Sequence, residues 1–518
     1  MSKKIKYEIS HQTEQLHWES IEIPSMTSGL LIQADMPEIC RCMAFILVKD
    51  PHGTIRLQKL LGHGEQKLGI GLTTKETSIG GVPGNIQAGA WQIGIGIFTE
   101  YVAQVLGENV ENLCLTITGV CEKDLETTER KEIIQEKISD PILGNCWVKE
   151  GLHISAELYD WQKVYNEETR WYKGDFHTHT HLSDGKETIT NAMKKAEDMN
   201  MDFYVPTEHN VVHTGWPETD IMILPGVEIT TCLGHFNIFG CTGAPSQLLD
   251  IMKEAGEEDI WKKMKYTIRE CEKNGWLWSI NHPFLHIWKW LYYDLPLKHL
   301  HLMEIVNDPT YGYAPEANDE AVSFLDYLWK HGYVVYGLGG SDSHNLESER
   351  YEGAAEPSIP GDPATLVYMN GLSPDHLMQG VAAGHVIVCR YIRAEVSFYY
   401  HGRQYLPGDR IETGNAAGDL LYCKGSVTGL PEETELFLVN GSGKKKIPWS
   451  KRGSQLGEIE LEIPWGQGDW QWTRLEIRDP VGKFLAYLNP VYRGEHHSGC
   501  KTFGEAVKGW QKHREKNV

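Results

Sequence analysis

The sequence predicts an α/β protein whose central, mostly parallel sheet, open or closed into a barrel, lies between two β-rich ends. Three observations predict it. Helix-then-strand units repeat between about residues 171 and 390, as parallel strands require, because each crossover needs a dozen or more residues. Strand-like runs separated by Gly, Pro and Asn turns dominate on either side. Imidazoles and carboxylates recur at the ends of the central strands, where parallel sheets gather ligands.

Residues 1–165 make up the β-rich N-terminal region. "RCMAFILVKD" and "NLCLTITGV" are β-rich, "GHGEQ" and "GGVPGN" supply turns, and the whole predicts a β-sandwich. Within 166–391, "TITNAMKKAEDMN" puts Ile189, Ala192, Met193, Ala196 and Met199 on one helical face, ahead of the short strand in "MDFYVPTEHN". "EEDIWKKMKYTIRECEKNG" aligns Ile260, Met264, Ile268 and Cys271, stops at Asn274-Gly275, and leads into "WLWSINHPF". A third unit runs from "NDEAVSFLDYLWKHG" into "YVVYGLGGSDSH". Residues 392–518 return to strands in "ELFLVN", "EIELEIP", "TRLEIRD" and "FLAYL", which predicts a second small β-sandwich, and "WQKHREKNV" reads as a solvated tail.

Composition narrows the function. Lys and Arg number 49 against 71 Asp and Glu, a formal charge of −22. So acidic a surface repels phosphate backbones, and no nucleic-acid partner is expected. "MSKKIKYEIS" has no apolar core after its lysines, and no run approaches the ~18 apolar residues of a membrane span. Eleven cysteines are scattered without a CxxC pair, and Cys40 and Cys42 are wrongly spaced for a zinc knuckle. A reduced, cytoplasmic protein without a membrane partner is the expectation.

The central strand ends carry the chemistry. His177, His179 and Asp184 follow the first strand, and Glu208 and His209 the second. Glu228 ends another, with His235 seven residues on. His282, Glu304, Asp342 and His344 follow at later strand ends. Clustered carboxylates raise one another's pKa and clustered imidazoliums repel, whereas divalent cations accept both groups as ligands. Nine candidates (His177, His179, Asp184, His209, Glu228, His235, His282, Asp342 and His344) exceed the roughly four ligands of one zinc. They suit two or three divalent ions (zinc, manganese or iron) sharing a bridging carboxylate. Taken singly, His-x-His is weak, "NHPF" is a turn and "GSDSH" a turn with a helix cap; the joint pattern makes the case. His299 and His301 precede their strand and are read as structural, and His181 and His213 as supporting or surface residues. Asp175 and Glu208, each within two residues of a ligand histidine, are candidates to orient imidazoles.

"DFHTHTHLSDG", "VPTEHN", "PGVEI", "GHFNIFG", "NHPF" and "GSDSH" together resemble the successive motifs of the PHP superfamily, the polymerase and histidinol phosphatase metallohydrolases. The flanking text in "WYKGDFHTHTHLSDGK", "SINHPF", "WKWLYYD", "MEIVND" and "GLGGSDSH" is similar to the CehA/McbA carbaryl-hydrolase branch. The resemblance covers about 171–390 and leaves both β-rich ends unmatched. It implies a distorted (β/α)7 barrel with two or three metals at the strand carboxyl ends. Carried over by motif, His177, His179, Glu228 and Asp342 would hold one metal. Asp184, His209 and His344 would hold a second, and a bridging Glu228 with His235 and His282 a third. Glu208 departs from the Asp usual before the histidine of its motif.

The expected reaction is hydrolysis at phosphorus or at a carbonyl, with a hydroxide shared between two cations as nucleophile. No G-x-S-x-G elbow offers an alternative. A phosphoesterase acting on a small phosphorylated molecule or a nucleotide leads; a carbamate, ester or amide hydrolase is the alternative on the same site. A glycan- or ligand-binding protein with structural metals is the non-enzymatic one. Asp184 and Asp342 are candidates to relay protons, and Arg350 and Lys289 to grip a phosphate. Trp288, Trp290, Tyr292 and Tyr293, near "NHPF", make an aromatic small-molecule substrate a consistent expectation.

Overall fold

The computed structural model describes all residues except 122–137, 152–153, 412–418, 453–454, 467, 497–498 and 518. Strand Ser2–Ile9 alternates exposed and buried residues and pairs antiparallel with Glu111–Cys121. Thr27–Asp35 and Gln66–Gly71 complete that sheet, and Leu16–Ile23, Gly89–Ile97, Ala44–Lys49 and Ile55–Leu60 form another of four strands. The period-two pattern turns Ile5, Leu30 and Leu115 of one sheet and Ile21, Ile46 and Ile95 of the other into one core. A helix absent from the sequence reading, Thr99–Leu106, buries Val102 and Leu106 in that core and leaves Tyr101 exposed.

The central helices follow their sequence stripes. Thr188 caps Ile189–Asp198 by accepting a hydrogen bond from the Asn191 amide, and Ile189, Ala192, Met193 and Ala196 are buried. Trp261–Asn274 buries Met264, Ile268 and Cys271 and ends at Gly275, whose φ of 73° is the left-handed cap that glycine adopts without strain.

The sheets depart from expectation. Strand takes 41% of the chain and helix 19%, with seven helices among the described residues and no sheet forming a barrel. The α/β class with a distorted (β/α)7 barrel is thereby corrected, while the two N-terminal sheets around one core agree with the sandwich expected there. The cause lies in strand pairing. Asn166–Thr178 runs parallel to Phe203–Pro206 but antiparallel to Ala364–Leu372. In the sheet Gly226–Thr231, Gly234–Phe239, Leu277–Ile280, Leu302–Asn307 and Tyr336–Gly340, the first two pairings are antiparallel and the last two parallel. Only Cys232 and Leu233 join the first two strands, too little chain for a crossover helix.

The C-terminal strands form no separate sandwich. Val386–Cys389 pairs with Phe484–Leu488, so one ten-stranded sheet crosses the predicted boundary at 391. It continues through Trp470–Arg478 and Glu435–Asn440. A five-stranded sheet, including Arg393–Tyr400, Asp419–Thr428 and Leu456–Trp465, shares a core with it through Phe398, Leu421, Ile463 and Leu475. The predicted tail belongs to a helix, Phe503–Asn517. Phe503, Ala506 and Trp510 are buried, and the Trp510 Nε1–H donates to Ser323 Oγ at 3.1 Å. Among the described residues no helix is long and apolar enough to cross a membrane. Two isolated bridges, Thr178 to Ser343 and His209 to Glu228, draw the strand ends of the two central sheets together. The candidate site lies there.

Candidate metal centre

Among the described residues, three groups of side chains could hold a metal ion, each with its ligand atoms all within 4.8 Å: His179, Asp184, His209 and His344; His177, His179 and Asp342; His209, Glu228 and His235. The groups share members, so they form one cluster. Asp342 Oδ1 lies 3.2 Å from His177 Nε2 and 3.1 Å from His179 Nε2. Glu228 sits among His177, His179, His209 and His235, with its carboxylate oxygens 2.8 to 3.4 Å from their ring nitrogens. Asp184 is 3.3 Å from His209 Nε2 and 3.4 Å from His344 Nε2. His282 stands at the margin, its Nε2 3.7 Å from Glu228. All nine sequence-derived ligands thus converge. Their grouping differs from the motif assignment: His179 and His209 each serve two groups, Glu228, expected to bridge two metals, serves one, and His282 belongs to none.

Positioning comes from neighbours that carry no free charge into the cavity. Glu304 receives a His177 Nδ1 contact at 3.1 Å and accepts from the His282 amide at 2.8 Å and from Asn307 Nδ2 at 3.0 Å. It fixes the ring whose Nε2 faces Asp342. Asn281 Nδ2 donates to Glu228 at 2.7 Å, and Asn307 Nδ2 to Asp342 at 3.1 Å. Asp342 (φ 48°) and His282 (φ 27°) hold left-handed backbone that non-glycine residues rarely adopt, a strain common at functional sites. Gly340 is needed for close approach, since a Cβ there would overlap the Cβ of His177. Sequence reasoning missed Asn281 and Asn307 and placed Glu304 at a strand end without a role. "NHPF" and "IVND" contain the signal, but only hydrogen-bond geometry reveals it.

Other expectations change in the structure. Asp175 touches no imidazole; it accepts from the amides of His177, Ser341 and Gly361, and burial lifts its carboxyl to about 6 despite them. Glu208 is fully buried, accepts from Thr180 and the Ser183 hydroxyl, and lies 3.9 Å from His179 Nδ1, so it braces the loop before Asp184 and stands behind that ring instead of entering the cavity. Arg350 is exposed and donates to the carbonyls of Glu347 and Glu349, and Lys289 is exposed; neither lines the cavities at the centre. Trp290 and Tyr292 are core residues, and Tyr293 stacks on Phe503, which leaves Trp288 alone of the four in the lining. His213 is buried against Trp216, and His181 pairs with Asp140 at 2.7 Å. His299 pairs with Glu272 at 2.6 Å.

Electrostatics explains why the cluster calls for cations. Burial opposes charge on His177 and His209, yet the carboxylates around them hold both imidazoles well above their usual range. His344 is likewise lifted to about 9 by Asp184 and Asp342, whereas burial outweighs Glu228 at His235 and takes it down to about 4. Burial would raise Asp184, Glu228 and Asp342, but the imidazoles hold all three well below the carboxylate range. The acids therefore remain ionised and demand positive charge that protons supply only by occupying the ring nitrogens. Several of those atoms, His177 Nε2, His179 Nε2, Glu228 Oε2, His282 Nδ1 and Asp342 Oδ1, are buried without a hydrogen-bond partner. Such groups are costly unless something binds them. A nitrogen and oxygen donor set of this kind fits divalent cations.

No family model matches the chain, and no curated protein does. The case for function therefore rests on the site. A cavity of about 230 Å³ lies over the centre, lined by Asp184, His209, His235, His282, Asp342 and His344. Leu285, Trp288, Tyr311 and Tyr351 add apolar and aromatic surface. Asp308, absent from the sequence-derived set, lines it too. It accepts from Tyr351 Oη at 2.7 Å and Thr310 Oγ1 at 2.8 Å, and burial pushes its carboxyl up to about 6.

Proposed function

We propose that this chain is a metal-dependent hydrolase of small-molecule esters, phosphoesters foremost, related in its site to the PHP metallohydrolases. The observation that carries the reading is the convergence of buried, unpartnered His, Glu and Asp atoms on a cavity large enough for a reacting group. Cations bound there would supply Lewis-acid charge and make water acidic near neutral pH. His177, His179 and Asp342, then Asp184, His209 and His344, then Glu228 with His235 and the marginal His282, would hold them. Glu304, Asn281 and Asn307 keep the ligand atoms aimed, which spares reorganisation during the reaction. Asp184 and Asp342 line the cavity and are placed to pass a proton. Asp308, which lines the same cavity and has its carboxylate held by Tyr351 and Thr310, is placed to pass a proton to a departing oxygen.

A second reading, hydrolysis of an aromatic carbamate or carboxylic ester, is favoured by one specific observation: the lining of the 230 Å³ cavity has Trp288, Tyr311 and Tyr351 but no Lys or Arg among the described residues. A panel of 4-nitrophenyl phosphate, methyl phosphate, 4-nitrophenyl acetate and 1-naphthyl N-methylcarbamate, run with zinc and with manganese, separates the readings. Turnover of the phosphates alone supports the first and turnover of the acyl compounds alone the second. Metal-loaded protein inert to all of them refutes both. In the Asp308→Asn variant, methyl phosphate should slow by roughly a hundredfold and 4-nitrophenyl phosphate far less, since 4-nitrophenolate leaves without a proton. Equal slowing would remove Asp308 from the reaction.

A further inference from the structure

We propose that the cleft between the N-terminal sheets and the metal centre is a subsite for a flat, uncharged aromatic group of the substrate, with Tyr101 of the N-terminal region and Trp288 of the loop after His282 as its recognition residues. The word substrate rests on the hydrolase reading; the subsite rests on the cleft itself.

The cleft has a volume of about 460 Å³, within the range of pockets that take organic ligands. Phe98, Thr99, Tyr101 and Gln104, from the helix Thr99–Leu106 and its entry, line it together with Ile287 and Trp288. It shares Asp184, His209, His235, His344 and Trp288 with the cavity over the centre. A molecule whose reacting bond sits at the cluster can therefore reach into the cleft. The N-terminal region thus acquires a role in the site that its sequence left open.

The chemistry of the lining selects the ligand. Tyr101, Ile287 and Trp288 are 44%, 60% and 40% exposed, so the cleft leaves apolar surface in water that a bound apolar group would cover. Ile287 has a φ of 65°, a costly conformation for a β-branched side chain. Its loop is pinned on both sides. The Trp290 amide donates to Pro283 and the Leu291 amide to Leu233, and Gly234 allows Trp290 an approach that a Cβ would block at 2.9 Å. The fold therefore holds Ile287 and Trp288 outward instead of letting them collapse into the core. Lys186 is the one Lys or Arg among the described lining residues, and Glu349 occupies its ammonium at 2.8 and 3.0 Å. Away from the imidazoles of the metal centre an anionic group would find no unpaired Lys or Arg among the described lining residues, whereas an aromatic ring finds aromatic and aliphatic partners.

The test uses two inert probes on metal-loaded protein, 1-naphthylmethylphosphonate and methylphosphonate, with affinities measured by calorimetry. The wild type should bind the naphthyl probe about tenfold more tightly. Tyr101→Ala and Trp288→Ala should each remove about fivefold of that preference, and Tyr101→Ala, at a position outside the cavity over the centre, should leave methylphosphonate within about twofold. Both side chains are substantially exposed, so the variants should fold, as circular dichroism would verify. Equal affinity of the wild type for both probes overturns the subsite, as does a parallel loss of both probes in the variants. A naphthyl preference in a protein that hydrolyses none of the ester panel would sustain the subsite and overturn the hydrolase reading. Hydrolysis without that preference does the reverse.

Discussion

Two of the buried clusters of ionisable side chains among the described residues balance their charge differently. Around Arg474 the balance is internal. Its Nε–H and Nη2–H donate to Asp326 at 2.7 Å each, its Nη2 lies 2.7 Å from Glu476, and Lys444 and Arg478 also pair with Glu476. Guanidinium and carboxylate meet in hydrogen-bonding geometry, so each acid has its cation in the sequence. At the strand ends the acids pair with imidazoles and with the neutral amides of Asn281 and Asn307. Contacts there are longer, Asp342 lying 3.1 and 3.2 Å from its two rings, and five buried ligand nitrogens and oxygens lack hydrogen-bond partners, against Arg474 Nη1 and Glu476 Oε2 in the first network. In one network Arg and Lys side chains balance the acids; in the other the balance is left to imidazoles, which could share their carboxylates with a metal ion.

Substitutions can break or sharpen that contrast. The largest effect is expected at the centre: His177→Ala or Asp342→Ala should lower metal-dependent hydrolysis by well over a hundredfold, more than a supporting residue costs, and reduce metal uptake while circular dichroism stays native. Unchanged turnover in either would remove that residue from the site. In the Arg474 network, Glu476→Gln should cost roughly 3 kcal/mol of stability, because it leaves buried guanidinium charge less well matched. Metal content should be untouched, and loss of bound metal there would erase the distinction between the two regions. Glu304→Gln should weaken metal affinity roughly 10- to 100-fold by releasing the His177 ring; isothermal titration with zinc reads this directly, and wild-type affinity would contradict the positioning role. Smallest of all, Arg350→Ala should leave KM and kcat within about twofold, as expected of an exposed side chain away from special features.

The ligands were legible because residue type and strand-end position carry most of the information. His177, His179, Glu228, Asp342 and the rest could be found without knowing which strands pair. Pairing itself was not legible. Hydrophobic alternation marks the buried face of a strand but not its neighbour, so nothing in "FLAYL" announced that it would extend the central sheet beside Val386–Cys389. The hairpin through Cys232 and Leu233 was hidden for a related reason. "ILPGVEITTCLGHFNIFG" reads as one strand and a trailing loop unless Gly234, at φ 111°, is taken as a turn signal. The hairpin nevertheless sets His235 opposite Thr230, with its Nδ1 3.2 Å from Glu228, so the ligand pair survived the wrong topology. Arg350 failed for the opposite reason. Its residue type suits a phosphate grip, while the local turn holds its guanidinium on the carbonyls of Glu347 and Glu349.

The most direct measurement is metal content. Chelator-stripped protein, equilibrated with zinc or manganese and freed of excess by gel filtration, should retain two to three equivalents by elemental analysis, shared among three ligand groups. Retention should fall in His177→Ala and Asp342→Ala. Binding should also raise the unfolding midpoint, since a thousandfold excess over Kd adds about 4 kcal/mol to stability. A wild-type chain that retains no metal and melts at the same temperature with and without it would contradict the account.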